Sequence, residues 1–294
     1  MKFISYEGGR FGVQTDDNAF VDISDIAEQE PQAWPPVGMV RLIARFEALR
    51  ARIEDRAQRG PKQDLAAVRL DCPVSWPNKV IAFPANYHAH IEEMKDGLVS
   101  AFKASGQGFF LKANSSLSGP ADPIVLPPIP GRETHHEAEL AIVIGKGGRQ
   151  IAAADALDHV FGYACLLDIV VRGKEERVMR KSYDTFCPLG PHIVTADEVG
   201  NPSALDLELR VNGALRQQAN TRDLIVDIPA MIEMASAVMT LYPGDIIASG
   251  TPAGVAPIVA GDSLAITIES VGSMRIGVVD GQLGNHPVWD KSEA

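Results

Sequence analysis

The chain has 294 residues with 38 acidic against 27 basic side chains, a formal net charge of −11 and 46% hydrophobic residues. That composition suits a globular protein long enough to bury a sizeable core, and the absence of any Lys/Arg block argues against nucleic acid as a partner. Cys72, Cys165 and Cys187 form no Cys-x-x-Cys pair, and no run approaches the roughly 18 apolar residues of a membrane span, so the expectation is a soluble, unprocessed cytoplasmic protein without membrane contact.

Residues 1–70 read as a small N-terminal α/β domain. Phe3-Ile4-Ser5-Tyr6, Phe11-Gly12-Val13 and Ala19-Phe20-Val21-Asp22-Ile23 predict short strands joined by turns, and Met39, Leu42, Ile43, Phe46 and Leu49 follow at helical spacing. Gly60-Pro61 opens a linker to a larger domain over residues 71–294. Val80-Ile81-Ala82-Phe83 is a buried strand that runs into Asn86-Tyr87-His88-Ala89-His90-Ile91-Glu92-Glu93. A helix beginning near Asn86 places His90 and Glu93 on one face, where a carboxylate can hold an imidazole as a general base, although on spacing alone an exposed helix with an incidental pair is the favoured reading.

The stretch from Gly106 to Pro120 predicts a strand ending in Lys112 and a small polar loop, suited to a carboxylate or to solvent. A Pro-rich arm then leads into His135-His136-Glu137-Ala138-Glu139-Leu140-Ala141-Ile142-Val143-Ile144. Side chains at i and i+2 of a strand share a face, so Glu137 and Glu139 project side by side from text otherwise fit for burial. Neighbouring carboxylates in a low-dielectric site repel unless one takes a proton or a cation lies between them. The alternative is an edge strand with two solvated glutamates. Phe161 to Leu167 is a second buried strand, closed by Asp168 and followed by Arg172. The segment from Arg180 to Pro191, with two prolines and a glycine, predicts a long irregular loop carrying Lys181. Asn212-Gly213 is a type I′ hairpin signal with an architectural role. Residues 228–241 predict an amphipathic helix, Ile246 to Ser249 a buried strand, and Gly250-Thr251-Pro252-Ala253-Gly254 a turn whose amides and Thr251 hydroxyl suit an anion. Strands near 263–269 and 274–279 complete a chain that is mostly β with α, an α+β class.

These segments, in this order, resemble the fumarylacetoacetate hydrolase family over residues 80–279. Asn86 to Glu93 is similar to its Asn-Tyr-x-Asp-His-x-x-Glu segment, Glu137-Ala138-Glu139-Leu140 to its Glu-x-Glu-Leu strand, and Asp168 with Arg172 to its Asp-x-x-x-Arg segment. Lys181-Ser182-Tyr183-Asp184-Thr185-Phe186 resembles its Lys-Ser-Phe-Asp-Thr loop, and Ser249-Gly250-Thr251-Pro252 its Thr-Gly-Thr-Pro turn. The resemblance implies a mixed β-sandwich or β-roll catalytic domain and a homodimer. It implies a metal held by Glu137, Glu139 and Asp168, catalysis by His90, Glu93 and Lys181, and substrate contacts from Arg172, Thr251, Tyr87 and Lys112. Ala89, Gly173 and Glu175 depart from the family's usual Asp, Asp and Gln, which bears on substrate choice. His135-His136 is reminiscent of members that cleave fumarylpyruvate or maleylpyruvate in aromatic catabolism.

Three carboxylates without a thiolate favour Mg²⁺ or Mn²⁺, with Ca²⁺ admissible. The implied substrate is a small 2-oxo acid, an acylpyruvate cleaved to pyruvate and a carboxylic acid. The same platform suits hydrolysis of diketo sugar acids, oxaloacetate decarboxylation, isomerisation or hydration. Two readings from other classes are a zinc hydrolase using His88, His90 and His136, and a non-catalytic protein holding a structural cation.

Overall fold

The computed structural model describes residues 1–28, 34–94 and 104–282. Its centre is a strand pair, Ala138–Ile144 against Val160–Leu167, antiparallel with Ala138 opposite Leu167. Every residue of the first strand is buried, and so is nearly all of the second, because both faces of this sheet are covered. On one face Leu140, Ile142, Tyr163 and Cys165 pack with Leu207, Leu209, Ile266 and Met274 of a second sheet. On the other, Ala141, Val143, Ala164 and Leu166 share a core with Phe3, Leu42, Phe46 and Phe161. Burial on both sides is why these strands read as continuous apolar runs rather than as alternating ones.

The large sheet has twelve strands. From the central pair it extends one way through Cys187–Thr195 and Lys2–Tyr6 to the hairpins of the first 70 residues, and the other way through Ile246–Ala248 and Val80–Ala82 to Phe110–Lys112. The N-terminal strands thus continue the same sheet, with Lys2 opposite Val194. The second sheet has five strands, from Ala214–Asn220 through Asp206–Val211, Ser263–Ile268 and Gly272–Asp280 to Ile124–Leu126. Asn212 and Gly213 both have positive φ at the tip of its predicted hairpin. A small three-stranded sheet, Val170–Val171, Thr134–His135 and Pro257–Ile258, lies beside the ends of the central strands.

The segment expected to be irregular from Arg180 to Pro191 is partly regular. Arg177–Lys181 is a short helix and Cys187–Thr195 a nine-residue strand. Pro191, which has no N–H to donate, falls where the pairing with Val160–Leu167 shifts register, so the sheet accommodates the prolines at an irregularity. The helix after Tyr87 spans His88–Met94, and the one after Asp227 spans Ile228–Val238, capped by the Asp227 carboxylate on the Ala230 N–H. Residues 95–103 lie outside the described residues. No helix among the described residues is long and apolar enough to cross a membrane.

The parallel strands Val80–Ala82 and Ile246–Ala248 begin at a buried ion pair. Lys79 Nζ lies 2.5 Å from Asp245 Oδ2, and Asp245 also accepts from the Lys79 and Tyr242 amides. Asp245→Ala leaves the lysine buried without its partner and is expected to cost about 3 kcal/mol of stability. Urea unfolding tests this, and an unchanged midpoint would refute the role.

Candidate metal centre and active site

The register of the central pair builds the acidic cluster. With Ala138 opposite Leu167, Glu137 faces Asp168 across the strand ends, and the Asp168 N–H donates to the Glu137 carbonyl at 2.8 Å. Glu139 lies two residues further along on the same face. The pairing of Ala141 with Ala248 continues to set Gly250 beside Glu139, and the Gly250 N–H donates to Glu139 Oε2 at 2.8 Å. Gly250 has φ +89°, and a Cβ there would lie 2.6 Å from Asn86 Cβ and 2.8 Å from the Phe83 carbonyl, so only glycine brings this amide in.

Glu137, Glu139 and Asp168 offer oxygens that all lie within 4.8 Å of one another, and no other such group of three His, Cys, Asp or Glu side chains occurs among the described residues. All three are buried. Lys181 bridges two of them, its Nζ 2.7 Å from Glu137 Oε2 and 2.5 Å from Asp168 Oδ2. Lys112 donates to Asp168 Oδ1 and, at 3.1 Å, to the Phe186 carbonyl. The field divides the glutamates. Burial opposes the charge of Glu137, but Lys181 and Arg172 outweigh it and hold the carboxyl at about 2. Burial and the Asp168 charge push Glu139 well above the carboxylate range, against the pull of Lys181. Burial works against the Lys181 ammonium too, yet Asp168 and Glu137 hold its proton above the usual lysine range. A hard, all-oxygen ligand set of this kind fits Mg²⁺ or Mn²⁺.

The helix His88–Met94 carries a histidine–carboxylate pair. His90 is buried, with Nδ1 3.1 Å from Glu93 Oε2. Both Glu93 oxygens accept from the Gly254 N–H, at 3.1 and 3.2 Å, which ties this helix to the glycine-rich turn. A carboxylate on Nδ1 requires a proton there, so Nε2 is the basic nitrogen. Tyr87 is buried beside Glu139, and its hydroxyl has no hydrogen-bond partner among the described residues. Thr251 is also buried, its Oγ1 accepting from Gln217 Nε2 at 2.8 Å, which leaves the hydroxyl proton to donate.

The structure brings Glu137, Glu139, Asp168, Lys181 and Lys112 together and ties the His90–Glu93 pair to the turn that carries Gly250 and Thr251, with two changes of emphasis. Lys112 has a wholly buried side chain directed at Asp168, so it orients and balances a carboxylate of the protein itself. The zinc reading is not supported by the geometry: His88 is exposed, His90 engages Glu93, and His136 Nδ1 engages Gln217 Oε1 at 3.1 Å. Gln217 was missed altogether. It is buried on the strand Ala214–Asn220, accepts from the Ala138 N–H and donates to Thr251 and to the Pro252 carbonyl, linking the glutamate strand to the turn. A single glutamine on a largely exposed strand carries no sequence signal of this role.

The profile of the fumarylacetoacetate (FAA) hydrolase C-terminal region matches residues 79–279, and the chain belongs to this family. Maleylpyruvate hydrolase of Aquipseudomonas alcaligenes is 42% identical over 286 residues, covering 95% of this chain and 99% of that protein. The crystal structure of maleylpyruvate hydrolase from Sphingobium sp. SYK-6, in complex with manganese(II) and pyruvate, aligns with a TM-score of 0.87 at 54% identity, over 96% of this chain and 100% of that one. A probable 2-hydroxyhepta-2,4-diene-1,7-dioate isomerase from Mycobacterium abscessus aligns with a TM-score of 0.79 at 30% identity, over 96% and 99% of the two chains.

Because Glu139 holds its proton to unusually high pH, a divalent cation must displace that proton to bind. Affinity is expected to rise with pH until Glu139 ionises unaided, with release of about one proton per ion below that point. Calorimetric Mn²⁺ titration in buffers of different ionisation enthalpy measures the release, and pH-independent binding without it would contradict the assignment.

Proposed function

We propose that this protein is a divalent-metal-dependent hydrolase that cleaves the carbon–carbon bond of an acylpyruvate such as maleylpyruvate or fumarylpyruvate, giving pyruvate and a carboxylic acid in the breakdown of aromatic compounds. The observation that carries the reading is the buried triad Glu137, Glu139 and Asp168, bridged by Lys181, with the His90–Glu93 pair alongside. Manganese and pyruvate in the Sphingobium enzyme support it, as does the high identity to that protein.

The bound cation supplies an electrophilic anchor for the 2-oxo acid end and offsets negative charge that builds there. The protein supplies the rest. His90, fixed by Glu93, removes a proton from water through Nε2, and the resulting hydroxide adds to the distal carbonyl carbon. Lys181 has three donors and engages two on Glu137 and Asp168, so the third is available to the oxyanion formed at that carbon. Collapse of the adduct breaks the carbon–carbon bond, releasing the carboxylic acid and pyruvate as its enolate, which takes a proton to give pyruvate. Arg172 and Thr251 hold substrate carboxylates, and the Tyr87 hydroxyl contributes a further donor beside Glu139. Residues 1–70 serve as a small N-terminal unit that braces the edge of the catalytic sheet. A cytoplasmic homodimer completes the reading; three free cysteines suit a reducing compartment.

Glu139→Ala is expected to abolish Mn²⁺ binding. His90→Ala is expected to bind Mn²⁺ as the wild type does while losing at least about 100-fold in kcat on maleylpyruvate. Following enol absorbance and pyruvate formation measures both, and undiminished turnover by His90→Ala would sink the proposed base. Lys181→Met should lower kcat by about 100-fold or more, the usual cost of removing one oxyanion donor.

A further inference from the structure

Arg172 is held on two sides by residues outside the catalytic set. Its Nε donates to His135 Nδ1 at 3.0 Å, and His135 Nε2 lies 2.9 Å from Glu133 Oε2. An arginine Nε can only donate, so His135 Nδ1 must accept, and the ring proton sits on Nε2 and points to Glu133. The small sheet sets this up: His135 pairs with Val170, Thr134 with Val171, and the Arg172 N–H donates to the Glu133 carbonyl at 2.8 Å. From the other side Arg132 Nη1 donates to the Arg172 carbonyl at 2.6 Å, while Nη2 lies 2.6 Å from Glu175 Oε1. This clamp occupies the space a side chain at Gly173 would need, since a Cβ there would fall 1.8 Å from Arg132 Nη1 and 2.3 Å from Glu175 Oε2. Gly173 and Glu175, two of the three departures from the family pattern, thus belong to one local arrangement.

With Nε engaged, the planar Nη1/Nη2 edge of Arg172 has no protein acceptor among the described residues. Such a fork matches a carboxylate in two parallel hydrogen bonds. Arg172 follows Asp168 by four residues and its partner His135 precedes Glu137 by two, and the pairing of Thr134 and His135 with Val171 and Val170 holds these segments together at the metal-centre end of the molecule. Arg180, whose Nε donates to the Glu175 carbonyl, adds positive charge to the same loop. The reaction itself needs only one substrate carboxylate, that of the pyruvate half. The metal centre would anchor that carboxylate, so a fork held this rigidly suits a carboxylate at the other end.

We infer that His135, held by Glu133, is a positioning residue that locks Arg172 to receive a carboxylate on the acyl end, so that the enzyme selects dicarboxylic acylpyruvates over those with an uncharged acyl group. This rests on the acylpyruvate-hydrolase reading above and adds the acyl specificity to it. An unheld arginine must lose side-chain freedom on each binding event; one already fixed does not, and the difference falls on substrate binding rather than on the chemical step.

The test is steady-state kinetics of the Mn²⁺-loaded enzyme on maleylpyruvate, whose acyl end is a carboxylate, and on acetylpyruvate, whose acyl end is a methyl group. His135→Phe removes the acceptor and is expected to raise KM for maleylpyruvate about tenfold, with kcat held within about twofold and both acetylpyruvate constants unchanged. His135→Asn, whose Oδ1 replaces Nδ1 as acceptor, should restore the wild-type KM. Glu133→Ala, at an exposed side chain, should raise the same KM by about threefold. Equal losses on both substrates, or no loss on either, would overturn the inference. Failure of the wild type to hydrolyse any acylpyruvate would instead overturn the hydrolase reading, so the two failures are distinct.

Discussion

Three carboxylates buried with their oxygens within 4.8 Å of one another can persist only if positive charge is built in beside them. At that separation each like pair repels by about 3 kcal/mol even at an effective dielectric constant near 20. The chain answers with two buried ammonium groups and one backbone amide: Lys181 between Glu137 and Asp168, Lys112 on Asp168, and the Gly250 N–H on Glu139. Two ammonium groups in direct contact thus serve Glu137 and Asp168 and leave the third carboxylate without a cation against it. The shortfall appears at Glu139, the member without a lysine of its own, which is pushed towards its protonated form. A divalent cation is the species that lets all three ionise together.

Strand register places these groups. The offset that sets Ala138 opposite Leu167 puts Glu137 across from Asp168, and the offset that sets Ala141 opposite Ala248 brings Gly250 to Glu139. A slip of one residue in either pairing would turn the carboxylates to the other face or remove the amide. The apolar runs behind the site therefore have a functional task besides burial. Packed on both faces, they hold a register that the charged ends, which repel one another, would otherwise disfavour. The Gln217 side chain extends this control to the second sheet, since its carbonyl takes the Ala138 N–H and its amide fixes Thr251.

What could be read from the sequence follows from the range of the interactions. Glu137 and Glu139 were legible because two-residue alternation inside an uninterrupted apolar run is local, and His90 with Glu93 because three-residue spacing on a helix is local. Asp168 was visible as the end of a second buried run. The pairings that join these pieces are long-range, and no local pattern states that residue 217 will meet residues 136, 138 and 251. Lys112 was expected to meet a substrate carboxylate. It is drawn instead to Asp168, the nearest acid once the strands are paired, and only the folded arrangement brings the two together. The strand Cys187–Thr195 was masked by Pro188, Gly190 and Pro191, which signal a loop unless a register shift in the neighbouring pairing absorbs them.

A carboxylate-bound cation facing a 2-oxo acid favours enol–keto chemistry of many kinds, so the cation alone does not select hydrolysis. Selection comes from what stands opposite it. Isomerisation needs a group that moves a proton between substrate atoms, whereas hydrolysis needs a base that acts on water and a donor that meets the oxyanion this water creates. In the proposed hydrolysis His90 is assigned the first role because Glu93 occupies Nδ1 and leaves Nε2 basic, and because the Gly254 N–H keeps Glu93 in place. Lys181 is assigned the second because two carboxylates hold its ammonium charged in a site where burial alone would discharge it. The same two carboxylates orient the lysine and offer ligands to the cation. In the proposed reaction, electrophile and oxyanion donor would therefore both depend on this one pair of side chains, and changing either carboxylate would disturb both.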